Sequence, residues 1–82
     1  MIFARASLFN LLKKKEKTII DILEKMSINQ ILEFSDELKE SGNNYKSTDL
    51  SHFSIALKQH AENFDIENIK MMIKELIKTI TM

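Results

Sequence analysis

The sequence contains no cysteine, no proline and a single glycine, Gly42. Without cysteine there is no disulfide framework, no thiolate metal site and no cysteine nucleophile. Without proline and with one glycine, tight turns are scarce, which disfavours a sandwich or barrel and leaves helices almost uninterrupted. A dominant charge is also missing: twelve basic and twelve acidic side chains cancel, so no overall field recruits nucleic acid. The most apolar segment, residues 2–12, is too short to span a bilayer and carries Arg5. Its lysines follow the apolar run, the reverse of a secretory leader, so no signal peptide is expected. A cytoplasmic location is compatible with these absences.

With 82 residues the chain makes one domain at most. Its 44% hydrophobic and 29% charged residues place it among globular chains and away from disordered ones. Charge is unevenly spread. Residues 1–26 hold Arg5, Lys13, Lys14, Lys15, Lys17 and Lys25 against Glu16, Asp21 and Glu24, and the remainder is correspondingly acidic.

Apolar spacing predicts an all-α fold. Ile19, Ile22, Leu23 and Met26 recur at helical steps, so residues 1–26 read as one long helix or as two pieces broken near the lysines. The stretch 27–40 carries a helix start. Ser27 can accept from the unpaired backbone N–H groups, and Gln30 three residues on can complete a capping box. Ile28, Ile31, Ser35 and Leu38 make its stripe, with Leu32 beside it. Gly42 is the expected left-handed stop. Ser47 or Thr48 caps the next helix, whose buried stripe is Leu50, Phe53, Leu57, Ala61 and Phe64, with Ser54 alongside. Asp65 caps the last helix, with its stripe at Ile66, Ile69, Ile73, Leu76, Ile77 and Ile80. Short connections imply antiparallel neighbours, giving an up-and-down bundle of four helices.

Candidate chemistry is sparse. His52 points away from the face set by Leu50, Phe53, Leu57 and Ala61, and His60 lies on the flank. Eight residues apart, they lack the four-residue step with which two helical histidines grip one metal. No nucleophile–base–oxyanion arrangement and no glycine-rich phosphate loop exist, so no enzymatic activity, metal or cofactor is expected. Asp36, Glu37 and Glu40 read first as a solvated helix surface, and Met71-Met72 as core edge. The cluster Lys13 to Lys17 reads as a solvated face or a linker, because aromatic residues do not interleave the lysines as a single-strand binder requires.

From Met26 to Ile80 the sequence resembles the C-terminal helical segments of bacterial hybrid sensor kinases and response regulators, relatives of histidine phosphotransfer (HPt) domains. The residues that carry this are Ser27-Ile28-Asn29, Phe34, Glu37-Leu38, Gly42-Asn43-Asn44-Tyr45, Leu50, Leu57 and Phe64-Asp65-Ile66. Active members carry a helix with histidine, two variable residues, lysine and glycine. The imidazole accepts a phosphoryl group, the lysine neutralises it, and the glycine lets the partner receiver approach. Leu38 and Lys39 match that pattern. Asp36 stands where the histidine should be, and Glu40 replaces the glycine. The resemblance therefore implies an HPt-like fold, with residues 27–82 forming the HPt-like part, that does not carry phosphate. It would dock to a receiver domain or a histidine kinase core through Asp36, Lys39 and Glu40, in the cytoplasm or within a membrane-bound sensor kinase. One alternative is a helical cap or homodimerising tail with residues 2–12 paired between copies. A further one is a basic amphipathic helix on a membrane surface.

Overall fold

The computed structural model describes residues 6–81, with side chains from Leu8 onward. Among them the chain forms five helices and no strand: α1 (Ala6–Lys14), α2 (Glu16–Lys25), α3 (Ile28–Asn44), α4 (Thr48–Glu62) and α5 (Ile66–Thr81). No helix among them is long and apolar enough to cross a membrane. The class is all-α as expected. The helix count is one more than the expected four, because the N-terminal segment takes the second of its two expected forms, two pieces divided at Lys15.

That division has a physical cause. Leu8, Leu12, Lys15, Ile19, Ile22 and Met26 alternate four- and three-residue steps, which would lay one stripe along a continuous helix. Lys15 falls in the middle of the stripe, where burying its ammonium without a partner would be strongly unfavourable. The helix is interrupted there. The Lys15 N–H donates to the Leu12 carbonyl at 3.0 Å, α2 starts at Glu16, and the side chain stays partly exposed and reaches Glu37 on α3 at 3.6 Å. Leu8, Leu12, Ile19 and Ile22 remain buried on either side of the break.

The core is one cluster drawn from all five helices. α5 is its hub, packing against α1, α2 and α4 through a stripe of Ile69, Ile73, Leu76 and Ile80. α3 and α4 make the most extensive helix–helix contact. They run antiparallel, since Gly42 lies against Ser51 and Asp36 against Lys58. Small residues permit the approach. A Cβ on Gly42 would lie 2.9 Å from the Ser51 backbone nitrogen and 2.5 Å from its hydroxyl. Ser35 and Ser54 are buried, and each hydroxyl donates to a carbonyl of its own helix, Ile31 at 2.9 Å and Ser51 at 2.7 Å. No buried polar side-chain atom among the described residues is left without a partner.

Gly42 is therefore not the left-handed stop that its place in the sequence suggested. It sits inside α3, which continues to Asn44. The left-handed positions are Met26 (φ 50°), Lys46 (φ 53°) and Phe64 (φ 54°). Lys46 and Phe64 each close a helix with a paired motif. The Lys46 N–H donates to Asn43 and the Ser47 N–H to Gly42; the Phe64 N–H donates to Ala61 and the Asp65 N–H to His60. The single glycine is placed where a close helix crossing needs it, and the three turns that favour glycine are made by other residues.

Helix starts were legible. Ser27 accepts from the Gln30 N–H at 3.5 Å and Ser47 from the Leu50 N–H at 3.2 Å. The capping box is half formed, because the Gln30 side chain turns away and donates to Asp21 on α2 at 3.3 Å. Three apolar assignments are corrected. Phe64 is 70% exposed, since the left-handed turn at the end of α4 takes it off that helix's stripe. Ile66, in the first turn of α5, is 39% exposed, beyond the reach of the core. Met71 is well exposed, leaving only Met72 at the core edge. Conversely Phe34, outside the expected stripe, is buried.

Candidate functional site

The buried stripe of α3 is Ile31, Phe34, Ser35, Leu38 and Gly42. Geometry then sends Glu33, Asp36, Glu37, Lys39 and Glu40 outward, and all five are exposed. The three candidate residues Asp36, Lys39 and Glu40 accordingly share one solvent-facing surface, with neighbours three and four apart.

Asp36 is not free. Its Oδ1 accepts from the Lys58 ammonium of α4 at 3.2 Å. Both side chains are about half exposed or more, so the pair contributes little stability, about 0–1 kcal/mol. Its consequence is positional, because it holds a carboxylate and an ammonium together across the seam of the α3–α4 hairpin. Glu37 one residue on leans the other way, to Lys15 at the α1–α2 break. Lys39 and Glu40 form no salt bridge among the described residues.

A magnesium-assisted acceptor aspartate needs further carboxylates gathered around one cation. No grouping of three histidine or carboxylate side chains among the described residues could hold a metal ion. His52 is exposed on α4. His60, in the last turn of α4, lies 3.5 Å from the Asp65 carboxylate. Asp65 begins α5: its Oδ1 accepts from the Asn68 N–H at 3.4 Å and its Oδ2 from the Asn68 side-chain amide at 2.6 Å. These bonds hold the Asp65 carboxyl below the usual range, the Asn68 side chain having the largest effect and His60 adding to it.

Two contacts escaped the sequence. Lys58 gave no signal by itself, since its link to Asp36 depends on the antiparallel register of two helices. Lys13 lies over the Phe9 ring, 5.8 Å from its centroid, so one lysine of the basic cluster does meet an aromatic ring, four residues earlier on the same helix. With that geometry in hand, comparison with protein-family models, curated proteins and solved structures finds no match to this chain.

Proposed function

We propose that the chain is a non-catalytic, HPt-like signalling module of a bacterial two-component system. It docks to a receiver domain or kinase core without carrying phosphate. In this reading residues 27–82, which hold α3, α4 and α5, are the HPt-like part, and α1 and α2 are N-terminal helices packed on α5. The observation that carries the proposal is the exposed α3 surface bearing Asp36, Lys39 and Glu40, with Asp36 bonded to Lys58. Asp36 occupies the position of the phosphoacceptor in the resembled pattern and projects to solvent, but has no imidazole to phosphorylate. What such a surface retains is recognition. Its mixed charges would set orientation and encounter rate with a complementary surface.

The packing of α1 weighs against the dimerising tail and the membrane-surface helix. Of the apolar residues in 2–12 that either reading would turn outward, Leu8 and Leu12 are buried and Phe9 and Leu11 pack partly against the same core. Ile2 and Phe3 lie outside the described residues.

The test is a titration of isotope-labelled protein with a receiver domain encoded beside it, inactive and activated with beryllofluoride, following backbone amide shifts. Shifts clustered at Asp36, Lys39 and Glu40 support docking. No saturable shift with either form overturns it, as does stoichiometric transfer of acid-labile phosphate from the receiver to His52 or His60.

A further inference from the structure

Three helices end on a left-handed residue that is not glycine, and the three differ in what the side chain then does. Met26 packs against the core. Lys46 puts its charge into water. Phe64 does neither: a bulky aromatic group is held at φ 54° and left 70% exposed. Two unfavourable choices coincide at this residue. Left-handed backbone costs a non-glycine residue on the order of 1 kcal/mol, and an exposed ring gains nothing from burial. Asparagine or glycine would meet the needs of the turn better.

The surroundings carry more carboxylates than cations. Residues 62–67 read Glu-Asn-Phe-Asp-Ile-Glu, with three carboxylates and no lysine or arginine, while His60 lies 3.5 Å from Asp65 and the exposed Lys70 stands one turn beyond Ile66. Glu62 and Glu67 are exposed, and the cap bonds favour the ionised form of Asp65. Ile66, also exposed, sits two residues from Phe64. The turn thus presents an aromatic group and an aliphatic one among side chains of predominantly acidic character. Aromatic side chains dominate binding energy when a partner's pocket closes over them, and charged borders set partner choice.

We infer that Phe64 is the anchor of a docking surface at the α4–α5 turn, and that the receiver bound there presents an apolar socket bordered by lysine or arginine. This rests on the function proposed above and names the chemistry of its partner. Phe64 follows Lys58 by six residues, about 9 Å along a helix axis. A standard interface covers about 800 Å² on each side, roughly 30 Å across, which is wider than this spacing along α4.

The experiment compares wild type with Phe64→Asn, Phe64→Leu and the double variant Glu62→Gln/Glu67→Gln. Receiver affinity is read by amide-shift titration and stability by thermal melting. Phe64→Asn is expected to weaken binding at least about ten-fold while Tm stays level or rises. Phe64→Leu should fall between it and wild type, and the double variant should bind more weakly with a shallower salt dependence. If Phe64→Asn binds as wild type while shifts persist at Asp36, Lys39 and Glu40, the anchor is refuted and the docking function stands. If Phe64→Asn lowers Tm by more than about 5 °C, the scale of 1 kcal/mol in a domain this small, Phe64 belongs to the fold and the anchor is again refuted. A wild-type protein that binds neither form of the receiver refutes both.

Discussion

α3 meets its two sequence neighbours in opposite ways. Against α4 it comes close enough that Gly42 has no room for a Cβ beside the Ser51 backbone, and the buried serines return their hydroxyls to their own helices. Against α2 the backbones stay apart. A shallow groove runs between them over Ile22 and Phe34, and polar pairs, Lys15 with Glu37 and Gln30 with Asp21, reach across its rim. The first interface depends on the absence of atoms and the second on side chains, Ile22 and Phe34 among them. Neighbours in sequence can therefore be joined by backbone proximity or by side-chain volume, and these fail differently under mutation.

The largest effect is expected from Phe34→Ala. It empties the α2–α3 side and should cost about 3–5 kcal/mol, read from urea unfolding. An unchanged midpoint would mean that α3 is held to the bundle through α4 alone. Gly42→Ala is the converse test. Alanine is better than glycine in a helix by about 1 kcal/mol, but the added carbon meets backbone as well as a rotatable hydroxyl. Overpacking of this kind costs about 1–3 kcal/mol, so a net loss is expected, and a gain in Tm would show that the two helices can part at no cost.

Acid should act at the far end of the α3–α4 hairpin. Because the folded state lowers the Asp65 carboxyl below its unfolded value, it binds its proton less readily than the unfolded state does. The stabilisation from this group is then fully present above the ordinary carboxylate range and is lost as pH falls through the lowered value. Asp65→Asn should flatten that part of the stability–pH curve, and a curve with unaltered slope would remove Asp65 from the account. At the α3–α4 turn, Lys46→Gly relieves a left-handed residue; the roughly 1–2 kcal/mol cost of that conformation, less glycine's larger loss of chain freedom, leaves an expected gain of up to about 1 kcal/mol. The smallest effect is at the groove rim, where Lys15→Gln is expected to change stability by no more than about 0.5 kcal/mol. A larger loss would promote the polar pairs from accessory to structural.

Helix starts and most buried residues were readable because they depend on neighbours within one turn. Ser27, Ser47 and Asp65 each accept from a backbone N–H three residues on. Leu50, Leu57, Ile69, Ile73 and Leu76 recur at the helix period and are buried. Helix ends were less legible. Gly42 carried the usual signal for a left-handed stop, yet the close approach of α4 took precedence, and that approach is a property of two helices.

The candidate surface divides in the same way. That Asp36, Lys39 and Glu40 face solvent follows from the apolar stripe on the opposite side of α3, so the sequence by itself determined it. Tertiary structure alone decided that Asp36 faces Lys58, 22 residues away, that Lys15 meets Glu37, and that Phe64 leaves its stripe for water. Local spacing is set by the backbone period, which any short window contains. Pairing across helices is set by register and by how closely the backbones approach, and no window contains both partners.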